Sequence, residues 1–352
     1  MESAEYNTLQ ELHTGFQAAL AGDRDLVLCS AREADPVQEF AQAVCDGLTS
    51  SPRRLHCRFL YDAEGSRIYE RITELPEYYP ARTETAILNG AADRIRALTG
   101  PANLLEFGSG YSTKTEHLLR AYTRGERRLT YIPVDVSESA LRAAAGQITR
   151  AHPGVNVVGV NATYNEAFSL LEEASPVVGI FLGGTVGNLD RQEATAFWSG
   201  VTGHMALGDH FLLGVDLHKD TAVLQPAYDD AAGVSASFTR NLFSRINREL
   251  GAQIDVAAIE HDAAYNEDQR QIEIHARFTR DQEIRISPLK RTFRIAAGER
   301  ILTEVSRKFR LQDLLPFLAE AGLQHRQVFT DPRGWFALIL LRREDRDGLR
   351  TH

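Results

Sequence analysis

Leu104-Leu105-Glu106-Phe107-Gly108-Ser109-Gly110 is the stretch from which the rest of this chain can be read. Two apolar residues, an acid and an aromatic run directly into a glycine turn, and a helical pattern follows from Ser112. That pattern describes a buried parallel strand ending in a sharp turn into a helix. Glycine at 108 and 110 lets the backbone take positive φ and lets a ligand approach without meeting a Cβ. The turn is not a complete GxGxxG, because Tyr111 and Thr113 stand where that motif continues. A simple strand-to-helix turn and a cofactor turn both fit these residues alone.

The flanking sequence favours the cofactor turn. Tyr131–Val134 reads as a second strand ending at Asp135, Val155–Val160 as a third and Val177–Leu182 as a fourth, running into the loop Gly183–Leu189. His210–Val215 closes on Asp216, and helical patterns at Glu138–Ala151 and Arg191–Leu207 separate the strands. Apolar strands alternating with helices predict a parallel sheet covered on both faces. Such sheets bind ligands beyond the carboxyl ends of their strands. The glycine turn, Asp135, the 183–188 loop and Asp216 all fall there. An acid after the second strand can accept both hydroxyls of a ribose, and Ser137 already fits the helix N-cap role before Glu138.

Away from this sheet the rhythm changes. Residues 1–30 read as an N-terminal extension, and Pro36–Leu48 as an amphipathic helix. Tyr61, Tyr69, Tyr78 and Tyr79 gather near Pro76 and Pro80, a set suited either to a core or to a small-molecule pocket. Helices at 220–230 and 234–250 precede segments of strand character from 254 to 309, whose alternation predicts an antiparallel sheet. A helix at Leu311–Ala321 and a strand pair around Asp331–Gly334 end the pattern. The expected organisation is an α/β protein with two domains. A cofactor domain comprises 83–218 plus 309–352, and an α+β substrate domain comprises 31–82 plus the insertion 219–308.

Composition narrows the function. The 352 residues carry 39 basic and 48 acidic side chains, a net charge of −9, with no basic stripe beyond short runs at Arg124–Arg128 and Arg342–Arg350. No nucleic-acid partner is expected. No stretch approaches the roughly 20 apolar residues of a membrane span, Met1–Leu20 lacks the features of a signal peptide, and three sparse cysteines suit a reducing, cytoplasmic setting. A small-molecule substrate with no obligate protein partner is expected. The sequence holds no GxxxxGK[ST], GxSxG or HExxH motif, and His261 and His275 lack metal-ligand spacing, so no metal is expected. A Glu-x-Gly-x-Gly turn without the third glycine suits S-adenosylmethionine better than a dinucleotide, because that cofactor has no phosphate to cradle. Lys114, expected in the first turn of the following helix, is placed to meet its methionine carboxylate.

Several separated blocks then carry a resemblance: Tyr61-Asp62 with Gly65-Ser66, Leu75–Arg82 with Glu84, Glu106–Gly110 with Lys114, and Pro133–Ser137. Phe181–Asn188, Tyr228–Val234, Asn247–Gly251, and Thr303–Ser306 with Lys308-Phe309 continue it. From about Arg58 to Gly334 the sequence is similar to the S-adenosylmethionine-dependent histidine Nα-methyltransferases of ergothioneine biosynthesis. The resemblance implies a Rossmann-like class I methyltransferase sheet and methylation of the α-amino group of L-histidine, to trimethylhistidine. It implies that Glu106, Gly108, Ser109, Gly110, Lys114 and Asp135 hold the cofactor, with Tyr61 near its methionine part. It further implies that Asn188 and Tyr228 hold the substrate carboxylate, and that the Gly183 carbonyl orients the amine. Tyr78, Glu304 and Ser306 would receive the ring, and Tyr69 would line room for a growing methylammonium. Tyr61 and Gly183 are the candidate catalytic groups. Two positions depart from the family: Thr163 stands where an aspartate accepts from adenine, and Ile274 where a methionine flanks the ring. Another amino acid or a histidine derivative is therefore the alternative substrate. A weakly active ligand-binding homologue and a nicotinamide dehydrogenase are the alternatives of other classes.

Overall fold

A computed structural model describes residues 2–6, 9–22, 26–30, 35–124 and 128–345. Residues 125–127 of the first basic run and 346–350 of the second lie outside the described residues. By contact the chain divides into two units, the first comprising 1–31, 82–217 and 309–352 and the second 32–81 and 218–308.

The first unit is built on a nine-stranded sheet among the described residues. Its strands are β1 (Glu2–Tyr6), β2 (Leu26–Ser30), β3 (Asn103–Phe107), β4 (Leu129–Asp135), β5 (Val155–Asn161), β6 (Val177–Phe181) and β7 (His210–Asp216). The later strands β13 (Leu323–Thr330) and β14 (Phe336–Arg343) complete it; β8 to β12 belong to the second unit. The order is β1-β2-β5-β4-β3-β6-β7-β14-β13, parallel from β1 through β7 and antiparallel at β14 and β13. Successive strand residues alternate faces, and both faces are covered. Leu104, Tyr131 and Ile180 pack with Leu88, Ile95 and Leu119 on one side. Leu105, Ile132 and Phe211 pack with Trp198, Phe16 and Leu318 on the other.

Residues 1–30, expected as an extension, are part of this unit. β1 and β2 extend the parallel sheet beyond β5, and the helix Leu9–Ala21 buries Leu12 and Phe16 in its core. Two five-residue strands carry too little periodicity to announce a sheet, so the sequence alone does not show this pairing. The helix after the glycine turn begins at Glu116, not at Ser112 where the sequence pattern places it. Ser112 has φ +55°, outside the range a right-handed helix can include, so Lys114 sits in the turn before the helix. A 21-residue helix, Tyr79–Thr99, also escaped the sequence reading. Pro80 at its start obscured it, although the first turn tolerates proline.

The second unit contains a three-stranded antiparallel sheet of β12 (Arg300–Arg307), β9 (Gln271–Phe278) and β8 (Ile259–Asn266), and a separate pair, β10 (Gln282–Ile286) with β11 (Arg291–Ile295). The single antiparallel sheet expected from alternation is thus two. Its discontinuous parts join by backbone: the Leu55 N–H donates to the Leu302 carbonyl at 2.8 Å and the Leu302 N–H to the Arg53 carbonyl at 3.1 Å. Asp62 caps the helix Ala63–Thr73 at the Gly65 N–H and accepts from Asn241 Nδ2, each at 2.7 Å. Gly65 is required there, since a Cβ would lie 1.7 Å from the Leu60 carbonyl oxygen. No helix among the described residues is long and apolar enough to cross a membrane.

Candidate functional site

In the first unit the strand ends converge as the sequence implied. Gly108 and Gly110 have φ +66° and +50°, and the N–H groups of Gly108 and Ser109 donate to the Val134 carbonyl at 2.8 and 3.2 Å. A Cβ on Gly108 would lie 2.8 Å from Tyr164 Oη. Asp135 is half-buried; its Oδ2 accepts from Gly110 N–H at 2.8 Å and its Oδ1 from Ser137 N–H at 2.9 Å. Burial pushes its carboxyl up, while the Ser137, Gly110 and Val136 N–H groups pull it down. Ser109 Oγ is buried with no hydrogen-bond partner among the described residues. Thr163 caps a short helix, its N–H and hydroxyl both donating to Glu166 Oε2 at 2.7 Å.

Glu106 does not face outward with the turn. Its carboxylate is buried and accepts from Thr115 Oγ1 and Tyr131 Oη, and Tyr131 also contacts Ser112 Oγ at 2.7 Å. It supports the turn from beneath through Tyr131 and Thr115. Burial pushes its carboxyl from 4.5 to about 7, against the Tyr131 and Thr115 hydrogen bonds and the Lys114 charge. The folded chain therefore holds this proton more tightly than the unfolded chain. The resulting stability is complete below about 4.5 and is lost as pH rises through about 7. The amplitude is about 3 kcal/mol. Between those pH values the unfolding free energy of wild type should fall by about this much relative to that of Glu106→Gln. Parallel curves would refute the assignment.

Sequence reasoning missed Glu84. It lies on the helix Tyr79–Thr99, is fully buried, and accepts the Gly183 N–H at 2.8 and 2.9 Å with its two oxygens. Lys114 Nζ donates to the same carboxylate. Gly214 accommodates it, since a Cβ there would lie 2.1 Å from Glu84 Oε1. The signal was available: Glu84 shares the helix stripe of Leu88, Ala91 and Ile95, and a charge on an apolar stripe marks a buried pair. Glu84 thus ties Lys114 to the loop where Gly183 and Gly184 take φ +77° and +67° and lead into Asn188.

In the second unit the tyrosines form one aromatic group. Tyr61 and Tyr69 meet edge to face at 5.5 Å, Tyr69 and Tyr78 at 6.4 Å, and Tyr78 and Tyr228 at 5.9 Å. Phe238, not anticipated, packs 5.3 Å from Tyr61 and 6.1 Å from Tyr69. Burial and the neighbouring tyrosines push the Tyr78 hydroxyl well above its ordinary range.

Glu304 pairs across the sheet with Ile274, and Ser306 with Ile272, placing both on one face. A bulge between Leu302 and Glu304 makes this register, with Thr303 as the extra residue donating to the Ile274 carbonyl at 3.0 Å. Tyr228 Oη lies 2.9 Å from Ser306 Oγ, and buried Lys308 donates to both. His261 lies 2.8 Å from Thr239 Oγ1 and 2.8 Å from the Tyr228 carbonyl, so its ring nitrogens have structural partners.

A family model described as histidine-specific methyltransferase, SAM-dependent, matches residues 40–343. The chain is 42% identical over 294 residues to the histidine N-alpha-methyltransferase of Mycolicibacterium smegmatis, covering 84% of this chain and 92% of that protein. It is 40% identical over 297 residues to the protein of the same name from Mycobacterium tuberculosis, with the same coverage of 84% and 92%. Ergothioneine biosynthesis protein 1 of Neurospora crassa is 30% identical over 216 residues, covering 60% of this chain and 24% of that protein.

Proposed function

The chain belongs to the histidine-specific, S-adenosylmethionine-dependent methyltransferase family, and from this premise we propose that it methylates the α-amino group of L-histidine, to the trimethylated product. The observation that carries the substrate reading is the face of the second unit's sheet. There Glu304 and Ser306 stand side by side, and Ser306 is bonded to Tyr228. A carboxylate that accepts an imidazole N–H fixes the ring and penalises amino acids lacking that donor.

The first unit suits the cofactor. Orphaned Ser109 Oγ, the acceptor-only Asp135 carboxylate and the close glycine backbone match a nucleoside that brings hydroxyls and no phosphate. Asp135 would hold the ribose and Lys114 the methionine carboxylate, with Tyr61 near the methionine part. Thr163, occupied as a helix cap, would offer adenine only its hydroxyl oxygen. When bound, the cofactor supplies an electrophilic methyl on sulfonium. The chain's own part is to align a neutral amine and keep water out. The Gly183 carbonyl would accept an amine N–H between transfers, while Asn188 and Tyr228 hold the substrate carboxylate. The faces of Tyr61 and Tyr69 would accommodate the growing cation. The free thiols Cys45 and Cys57 support a reducing, cytoplasmic setting.

The test is mass spectrometry of S-adenosylmethionine reactions against a panel of amino acids and histidine derivatives, repeated with Glu304→Gln. Three methyl groups on histidine, with kcat/KM reduced at least tenfold in the variant, is the expected outcome. Turnover of another amino acid and none of histidine would overturn the substrate assignment.

A further inference from the structure

We infer that Tyr131 is a positioning residue for the cofactor: its hydroxyl anchors the left-handed residue Ser112 and so sets the shape of the glycine turn. This rests on the cofactor turn proposed above and adds what fixes it. Ser112 holds φ +55° without being a glycine, a conformation that costs free energy unless its surroundings over-determine it. It is buried, and its Oγ lies 2.7 Å from Tyr131 Oη. Its N–H donates to the Ser109 carbonyl at 2.9 Å, so the place of Ser112 decides that of Ser109. Ser109 carries the buried hydroxyl with no hydrogen-bond partner among the described residues.

Tyr131 stands on β4 opposite Leu104 of β3, so it leaves the sheet on the same face as Glu106. Its ring is fully buried in the core with Leu104 and Leu119, which makes its hydroxyl a fixed point. Hydrogen counting gives the direction of the chain. Ionised Glu106 accepts from both Thr115 Oγ1 and Tyr131 Oη. A phenol has one hydrogen, so Tyr131 then offers Ser112 its oxygen and the Ser112 hydroxyl donates to it. That bond draws Ser112 down toward β4 and holds its backbone in the left-handed region. Further along β4, Asp135 accepts from the Gly110 N–H at 2.8 Å. One strand thus holds the turn at two points, and the distance between them is set by rigid backbone.

The experiment compares wild type, Tyr131→Phe, Ser112→Gly and the double variant, with Asp135→Ala as the control for the turn itself. Phenylalanine keeps the ring and its packing and removes one oxygen. Calorimetry with S-adenosylmethionine is run well above the Glu106 pKa of about 7, where the carboxylate is ionised. Tyr131→Phe is expected to raise the Kd about tenfold, with kcat at saturating cofactor changed less. Ser112→Gly separates the hydroxyl from the backbone, because glycine takes φ +55° freely. Its expected loss matches that of Tyr131→Phe, and the double variant is no worse than the poorer single variant.

A second readout follows from Glu106, which faces Tyr131 and Thr115 and feels the charges of Lys114 and Glu84. The Tyr131 hydrogen bond pulls its carboxyl down, so without that bond the fall in stability near pH 7 moves to higher pH. A ring acting by bulk alone shifts neither this transition nor the Kd. Wild-type affinity in Tyr131→Phe or in Ser112→Gly, or an unmoved transition, would overturn the inference while Asp135→Ala still weakens binding. If Tyr131→Phe loses its fold, seen as kcat and urea midpoint falling together, Ser112→Gly decides the matter. Wild-type affinity in Asp135→Ala would overturn the cofactor turn, and this inference with it.

Discussion

Asp135→Ala is expected to weaken S-adenosylmethionine binding by about 100-fold, equivalent to about 3 kcal/mol. Two effects combine. Under the proposed assignment the carboxylate would offer charge-assisted acceptance to ribose hydroxyls, and it also holds the turn in place through the Gly110 and Ser137 N–H groups. Alanine removes both. Asp135→Asn keeps one acceptor oxygen and one backbone contact, so its loss should be intermediate. Calorimetric titration of each variant with S-adenosylmethionine measures the order directly. Affinity for the alanine variant within threefold of wild type would remove Asp135 from the cofactor site.

The other large effect is expected at Glu84. Its alanine variant should lose about 2–4 kcal/mol of stability, read from the urea midpoint, and should bind the cofactor more weakly. The half-buried Gly183 N–H would be left without its two carboxylate contacts. Lys114 would lose its carboxylate partner as well, although at 23% side-chain exposure it can draw on water, which moderates the loss. Glu84→Gln keeps the volume and an acceptor for Gly183 while removing the charge. It should therefore retain most of the stability yet displace Lys114. Equal stability of the alanine variant and wild type would show that the loop is held by other contacts.

Much of the cofactor half was legible because its signals are local. β3, β4, β5, β6 and β7 each carry an apolar run, and their acids and glycines fall at the carboxyl ends by chain order alone. The Ser137 cap is one such local signal, with its hydroxyl 3.4 Å from the Ala140 N–H. The helix Val234–Leu250 was legible to the residue, because Gly233 and Gly251, both at φ +70°, bracket an amphipathic run. Glu106 was legible as part of the motif but not in its role, since nothing in Glu-x-Gly-x-Gly says that Tyr131 and Thr115 will enclose the carboxylate.

The separated motif blocks carried the resemblance to a family with a defined cofactor, while periodicity and turn chemistry established the strands, turns and helices of a parallel sheet. These follow from short-range physics: alternation, capping and positive φ depend on neighbours along the chain. Long-range pairing settled the remainder. The β1–β2 extension, the Glu84–Lys114–Gly183 clamp, the Thr303 bulge that puts Glu304 opposite Ile274, and the lysine bonded to both Tyr228 and Ser306 each join residues distant in sequence. Burial makes those partners interdependent, because a charge or hydroxyl removed from water must find its complement wherever the fold brings one.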